Sequence, residues 1–159
     1  MIVVADTSPL TNLHAIGRLE LLREVFGGLL VPPRVADELR SPRARRPLDV
    51  SSIPWMEVRA PGATAPLELQ RRLHPGETQA LRLALEVRAD LLLIDEEDGR
   101  VEARRLGLSV IGLLGTLVMA KNQGVLPAIR PVVEDLRTRA SFWMSDALVE
   151  EVLGSVGEG

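Results

Sequence analysis

The sequence has no cysteine and only two histidines. The lack of cysteine excludes a disulfide framework and a thiolate metal site, and two imidazoles alone do not form a zinc centre. Any metal bound by this chain is therefore expected to be a hard cation held by carboxylate oxygens.

Long hydrophobic runs and a strong basic excess are also missing. The first apolar run is four residues long and has no basic region before it, so it does not resemble a signal peptide. No apolar stretch reaches the length of a membrane span, and a cytoplasmic location is the default expectation. The net charge of -3 argues against a strongly basic nucleic-acid clamp. It leaves room for an enzyme with an acidic centre and a local basic rim.

What is present indicates a globular α/β protein. The chain has 159 residues, of which 46% are hydrophobic, and we expect a single domain over residues 1–159. Short apolar strands without polar alternation are separated by helical segments. This pattern predicts a parallel sheet with helices on both faces, a three-layer α/β/α sandwich.

Several local expectations test this interpretation. We expect Ser8 to cap a helix that starts near Pro9, and we expect a surface loop over 41–65 with one edge strand at Trp55–Val58. A short helix is expected at Leu67–Leu73. Ser145 is expected to cap the last helix.

Acidic residues follow two of the buried strands. Asp6 comes directly after the strand at Ile2–Ala5, and Asp95 directly after the strand at Leu91–Ile94. If these parallel strands are neighbours, they lie about 4.8 Å apart and their carboxylates meet at one edge of the sheet. Glu38 and Glu77 lie on helices entered from that edge, and Glu77 is in the first turn of its helix.

Such a group of acids suits phosphodiester hydrolysis, which needs an activated water and compensation of developing negative charge. Mg²⁺ takes few carboxylates and keeps several waters, so oxygen ligands without histidine or cysteine fit it. Each acid also has a structural alternative, as a helix cap, a first-turn acid or a solvated side chain. Structural roles are favoured for Glu96, Glu97 and Asp98, with Asp98 the strongest additional ligand candidate. The pairing of two strands that both end in Asp is the specific signal.

Together these motifs resemble the PIN domain, a nuclease fold of VapC-type toxins and related ribonucleases. The resemblance covers nearly the whole chain and is strongest for a prokaryotic subgroup with an Asp-Thr-Ser-Pro-Leu start. It rests on Val4–Ser8, Val35–Leu39, Gly76–Glu77, Leu92–Glu96, Gly99–Arg100, Gly112–Gly115, Ala120–Lys121 and Phe142–Ser145.

The resemblance implies a sheet of order 3-2-1-4-5 and an Mg²⁺- or Mn²⁺-dependent ribonuclease, the toxin of a type II toxin–antitoxin pair. It implies RNA as substrate and a small antitoxin as partner. The family's acids map onto Asp6, Glu38, Glu77 and Asp95, with Asp6, Glu77 and Asp95 as metal ligands. Two positions depart from the subgroup: Glu96 replaces a usual Asp, and Leu113 replaces a common hydroxyl residue. Thr7 or Ser8 is then the candidate for orienting a water or a phosphate.

Outside the acids, basic and aromatic residues each have two interpretations. Arg43, Arg45 and Arg46 form an RNA-phosphate rim or a solvated loop, and the loop is favoured; Lys121 contacts phosphate or simply ends a surface helix. The aromatic and methionine residues form a partner or homodimer patch or, as is more usual, pack in the core; they are Trp55, Phe142, Trp143 and Met144.

Other functions stay open at this point. A PIN-like fold can serve as a non-catalytic binding or regulatory module, and PIN nucleases also act in RNA processing. A phosphatase of the haloacid dehalogenase type needs Asp-x-Asp after the first strand, where this chain has Asp6, Thr7 and Ser8. A receiver domain needs a phosphoacceptor Asp after the third strand and a Lys-Pro after the fifth, and the chain has neither.

Overall fold

A five-stranded parallel sheet forms the centre of the protein in a computed structural model, which describes residues 1–62, 67–140 and 142–159. The strand order is β3-β2-β1-β4-β5, so the expected order 3-2-1-4-5 is confirmed and β1 lies beside β4. The strands are β1 (Val3–Ala5), β2 (Leu29–Val31), β3 (Met56–Val58), β4 (Leu91–Leu93) and β5 (Val110–Ile111).

Eight α-helices in the described residues flank this sheet, which gives the expected α/β/α arrangement. A 3-10 helix at Val50–Ser52 precedes β3. None of the helices within the described ranges has both the length and the apolar character needed to span a bilayer. The helices are α1 (Thr7–Ala15), α2 (Glu20–Phe26), α3 (Pro33–Arg40), α4 (Pro75–Val87), α5 (Glu97–Arg105), α6 (Leu113–Asn122), α7 (Arg130–Arg139) and α8 (Asp146–Ser155).

Two apolar clusters lie on opposite sides of the sheet. Ala5 and Leu93 belong to the larger cluster, whereas Val4, Leu92 and Ile94 belong to the smaller one. Successive side chains of a strand point to opposite faces, so a strand covered on both sides needs apolar residues at every position. This requirement explains the unalternated runs in the sequence.

The expected cap of the first helix is wrong. The helix begins at Thr7, Asp6 occupies the N-cap position, and Ser8 lies inside the first turn. Asp6 is still extended, with φ −86° and ψ 173°. Pro9 fits the first turn because the N–H groups there have no partner within the helix. Ser145 does cap the last helix, and its Oγ accepts a hydrogen bond from the Leu148 N–H at 3.1 Å.

The expected helix at Leu67–Leu73 is also wrong, because this segment has no regular secondary structure. The N–H groups of Gln70 and Arg71 donate to the Glu102 carboxylate at 2.9 and 2.8 Å, so they are not available for helical hydrogen bonds. The leucines of the segment pack against the smaller apolar cluster. The edge strand in the 41–65 loop is confirmed as β3, whereas residues 63–65 of that loop lie outside the described residues.

Candidate active site

Four carboxylates line one cleft of about 420 Å³ at the carboxyl-terminal edge of the sheet. They come from four places in the chain: Asp6 follows β1, Glu38 lies on α3, Glu77 lies on α4, and Glu96 precedes α5. The cleft also contains Thr7, Ser8, Thr11, Asn12, His74 and Pro75. The strand ends and helix starts of a parallel sheet meet at this edge, where such folds hold their ligands. We call this the acidic cleft.

Asp6 is the most perturbed acid of the cleft. Its side chain is buried, with 3% of the residue exposed. Burial raises the pKa of Asp6 to about 7; the Thr7 N–H opposes this shift, and the charges of Glu77, Glu38 and Glu96 add to it. The described groups that shift the pKa of Asp6 include no cation, so no positive charge compensates its ionised form.

Glu77 is the second buried acid, with 6% exposure. Its Oε1 accepts a hydrogen bond from the His74 N–H at 3.0 Å, which ties the start of α4 to the cleft. Its Oε2 is buried and has no hydrogen-bond partner among the residues that the structure describes. Burial raises the pKa of Glu77, partly opposed by the His74 N–H.

Glu38 is exposed on α3, and its carboxylate is hydrogen-bonded to the first residue of α1, Thr7. The Thr7 hydroxyl donates to Glu38 Oε2 at 2.6 Å. This bond gives Thr7 a definite role as the residue that orients Glu38. Ser8, the other expected hydroxyl, lines the cleft and its Oγ accepts a long bond from Asn12 Nδ2 at 3.4 Å.

Asp95 does not line the acidic cleft. The register pairs Ala5 with Leu93, so Asp6 lies level with Ile94 and Asp95 lies one residue further along. Asp6 lines the acidic cleft, whereas Asp95 lines a neighbouring depression. The adjacency of the two strands was predicted correctly, and the sharing of a metal ion by Asp6 and Asp95 stays a prediction.

The surroundings of Asp95 compensate its negative charge only in part. Its Oδ1 accepts a hydrogen bond from the Leu113 N–H at 2.9 Å, and its Oδ2 is buried with no partner in the described part of the chain. Burial raises the pKa of Asp95, while the Leu113 N–H and the Arg100 charge oppose the rise. The second depression, of about 460 Å³, is called the Asp95 groove; its lining includes Asp95, Arg100, Gly112, Phe142, Trp143 and Leu148.

Glu96 connects the two depressions electrostatically. Its charge raises the pKa of Asp6, of Glu77 and of Asp95. Glu96 lines the acidic cleft, whereas Asp98, which is exposed like Glu96, pairs with Arg71 at 2.8 Å and adds to the raised pKa of Glu77. Of the two auxiliary acids, Glu96 is therefore the one that belongs to the cleft, although the sequence favoured Asp98.

Glycines stand beside three of the acids and leave room for them. A methyl group at Gly76 would lie 2.5 Å from Glu38 Oε1, and one at Gly112 would lie 2.6 Å from Asp95 Oδ1. At Gly99 it would lie 3.0 Å from Glu77 Oε2 and 2.6 Å from Ile94 Cδ1. The positions of these carboxylates therefore depend on the missing side chains.

The residues fit a hard divalent cation by their chemistry. Within the described ranges, Glu77 Oε2 and Asp95 Oδ2 are buried oxygens without hydrogen-bond partners, and no cation opposes the rise in the pKa of Asp6. Across 1–62, 67–140 and 142–159, no three acidic or imidazole side chains stand close enough to form a ready metal centre. Mg²⁺ does not need such a cage, because it keeps several waters and takes one or two carboxylates.

The basic residues for which RNA contact was one of two interpretations form bonds largely within the protein. Arg45 donates to the Arg139 carbonyl at 2.9 Å, and Arg46 donates to the His14 carbonyl at 2.8 Å. Lys121 pairs with Glu158 at 2.8 Å. Arg43 is exposed on the loop. Contact of these side chains with RNA stays a prediction.

Sequence reasoning missed three residues at the edge of the site. His74 lines the acidic cleft because it occupies the N-cap position of α4, immediately before Pro75. Arg100 lies beside Asp95 and was considered only as part of a motif. Trp143 was expected in the core by preference but is 84% exposed. Only the helix-start pattern His-Pro-Gly-Glu could have pointed to His74.

Comparisons with known proteins agree with this fold. A family model, DUF3368, described as a PIN domain, matches residues 2–158. Among solved structures, a PilT N-terminus domain protein, SSO1118, from the hyperthermophilic archaeon Sulfolobus solfataricus P2 is similar with a TM-score of 0.50. The alignment has 22% identity and covers 73% of this chain and 90% of that one, so the likeness shows the fold alone. No match was found among curated proteins.

Proposed function

Because the chain belongs to the PIN-domain family, whose members are generally nucleases, we propose that it is a divalent-metal-dependent endoribonuclease that hydrolyses RNA phosphodiester bonds. The observation that carries the proposal is the acidic cleft, where buried Asp6 and Glu77 lie with Glu38 and Glu96. Perturbed acids concentrated in one cleft are typical of functional sites.

PIN domains generally use divalent metals, and the four carboxylates of the cleft offer the oxygen ligands that hard cations prefer. Asp6 and Glu77 would hold Mg²⁺ or Mn²⁺, with Asp95 contributing from the adjoining groove. When bound, the ion supplies a water activated near neutral pH and compensation for charge on the phosphate. The unpartnered oxygens of Glu77 and Asp95 support these assignments.

The remaining cleft residues position the reacting groups. Glu38 accepts the Thr7 hydroxyl through one oxygen, which leaves Oε1 to hold a water or a ligand of the metal. Glu96 adds negative charge that increases the affinity of the cleft for a cation. Thr7 is thus a positioning residue that acts through Glu38.

The cleavage test uses purified protein, a fluorescently labelled single-stranded RNA and Mg²⁺ or Mn²⁺. We expect Asp6→Asn to reduce cleavage by at least about 100-fold, because even outer-shell partners of a metal cost about 10- to 100-fold. The matched control is Asp135→Asn, which removes a surface acid paired with Arg139 on α7. Full activity of Asp6→Asn with a normal melting temperature would refute the proposed site.

A biological role as the toxin of a type II toxin–antitoxin pair follows from the same proposal. A small antitoxin would inhibit by covering the acidic cleft, and a homodimer is a possible active form. Expression of the chain in a bacterial host is expected to arrest growth, and the Asp6→Asn variant is not. Unchanged growth with active, soluble enzyme would instead favour a role in RNA processing.

One observation favours a second function, a non-catalytic PIN-like binding module. The described residues contain no ready three-ligand metal centre. Isothermal titration with Mn²⁺ separates the two functions. If millimolar Mn²⁺ binds to wild-type protein but not to Asp6→Asn, the result supports the nuclease. If Mn²⁺ binds to neither protein, the result supports the binding module.

A further inference from the structure

We propose that the Asp95 groove is a nucleobase-binding subsite in which Trp143 stacks on a base of single-stranded RNA next to the bond that is cut. This inference rests on the proposed function, because it assigns the groove to the same substrate. Two features of the groove carry it, because the same lining contains an exposed indole ring and a carboxylate of the candidate site.

The exposure of Trp143 needs an explanation. The chain has only four aromatic residues, two Trp and two Phe, and Trp143 is 84% exposed. Exposing a ring of this size forgoes the apolar burial that makes tryptophan valuable in a core. Aromatic faces on a surface are the usual platforms for single-stranded nucleic acid, since every base has a π-face to stack on them.

Arg100 supplies the charge that a nucleotide needs. Its Nη1 donates to the Ile94 carbonyl at 2.8 Å, which fixes the guanidinium within the groove beside Asp95. A guanidinium has five N–H donors, and this bond uses one of them. The groove thus combines a stacking face with a cation suited to a backbone phosphate.

The dimensions of the groove favour a nucleotide over a second protein surface. A volume of about 460 Å³ lies within the range of about 300–1,000 Å³ typical of small-ligand sites. Within the described residues, only Trp143 and Leu148 of the groove are large, exposed hydrophobic side chains. A stable protein interface buries about 800 Å² per partner, which so small an apolar patch does not supply.

The connection to the acidic site sets where the base would lie. Asp95 lines the groove, and the next residue in the chain, Glu96, lines the acidic cleft together with Asp6. A phosphate held at the acids therefore has the groove as the adjoining space for its neighbouring nucleoside. The base would stack on Trp143, and the next phosphate would face Arg100.

The experiment measures binding separately from cleavage. The Trp55→Phe variant leaves Trp143 as the only tryptophan, so its fluorescence reports the groove alone. Short single-stranded RNA is titrated in EDTA at low salt, which prevents metal-dependent cleavage and limits screening of phosphate contacts. We expect the Trp143 emission to be quenched saturably as the base stacks.

Labelled RNA and fluorescence anisotropy then compare two substitutions at the same position. Loss of base stacking on alanine substitution costs about 1–3 kcal/mol, so Trp143→Ala should weaken binding by roughly 5- to 150-fold. Trp143→Phe keeps a ring and should recover most of the affinity. The matched control is Val58→Ala, which removes an exposed apolar side chain on β3, outside the groove.

The outcomes distinguish this inference from the proposed function. RNA binding with quenching but no cleavage in Mn²⁺ would overturn the nuclease and support the subsite. Cleavage by wild-type protein with unchanged RNA affinity and turnover in Trp143→Ala would overturn the subsite alone. The subsite is likewise refuted if RNA does not bind in EDTA, or if Trp143→Ala dissociates a dimer without changing RNA affinity.

Discussion

Two groups of carboxylates in this protein experience opposite environments. In the candidate site, burial raises the pKa values of Asp6, Glu77 and Asp95. Elsewhere, the pKa values of Glu102 and Glu158 are lowered, because N–H groups and cations surround them. The same chemical group is therefore left uncompensated at the site and fully compensated outside it.

Glu102 shows what compensation requires. The residue has no exposed surface, and its Oε1 accepts the N–H groups of Gln70 and Arg71. Its Oε2 accepts from Arg105 Nε and Nη2 at 3.0 and 2.7 Å. Every lone pair that faces the protein has a donor, so the charge holds the 67–73 segment against α5.

Glu158 accepts a similar set of hydrogen bonds near the last helix. Its two oxygens accept from Lys121 Nζ and from the N–H groups of Ile129 and Arg130. The Ile129 N–H contributes most to lowering the pKa of Glu158 to about 2, followed by Lys121. The difference from Asp6 and Glu77 teaches that donors, rather than burial alone, separate structural acids from candidate ligands.

The largest expected effect is on the pH dependence of stability without metal. Asp6 has a pKa of about 7 in the fold and 3.8 as reference, so the folded state holds a proton that the unfolded state releases. The free energy of unfolding should then fall between pH 4 and 7, by on the order of 4 kcal/mol for the full shift. Urea unfolding in EDTA at a series of pH values measures this.

Two variants test the opposite pH dependences of stability expected from Asp6 and Glu158. Asp6→Asn should remove most of the decline between pH 4 and 7. Glu158 has a lowered pKa, so it contributes stability that is lost as the pH falls from 4.5 to about 2, and Glu158→Gln should flatten that acid limb. Equal pH profiles for wild-type protein and Asp6→Asn would contradict the contrast between the two groups.

A smaller but distinct effect is expected from Glu102. Glu102→Ala leaves two backbone donors and a guanidinium without their acceptor, so the melting temperature should drop by several degrees. Glu102→Gln keeps an oxygen for the N–H groups and should lose less. Differential scanning fluorimetry checks this, with Glu151→Gln on the exposed side of α8 as control. If Glu102→Ala were as stable as the control, the hydrogen bonds to the Glu102 carboxylate would contribute nothing to stability.

The smallest expected change in stability accompanies a change in activity. Gly76 lies in the first turn of α4, where alanine is preferred over glycine by up to about 1 kcal/mol. The added methyl group would displace Glu38, whose exposed side chain moves at little cost. Gly76→Ala should therefore unfold no earlier than wild-type protein and cleave RNA more slowly. Unchanged cleavage would mean that the place of Glu38 is not critical.

The fold was largely predictable because buried parallel strands lack polar alternation, as at Val3–Ala5 and Leu91–Leu93. Asp6 and Glu77 were predictable because they sit at a strand end and a helix start. The position of Asp95 was not, since its face depends on the one-residue register between two strands. Glu102 was missed because Glu102 and Arg105 at i and i+3 resemble any surface ion pair until the 67–73 segment covers them.

The register of β1 and β4 has a consequence for the shape of any substrate that uses both depressions. Asp6 lines the acidic cleft, Asp95 lines the neighbouring Asp95 groove, and their strands are about 5 Å apart. A ligand that reaches both depressions must cross the ends of these two strands. Double-stranded nucleic acid resists bending over such short distances, with a persistence length of about 50 nm for DNA. A single strand has free backbone torsions and follows this ridge readily.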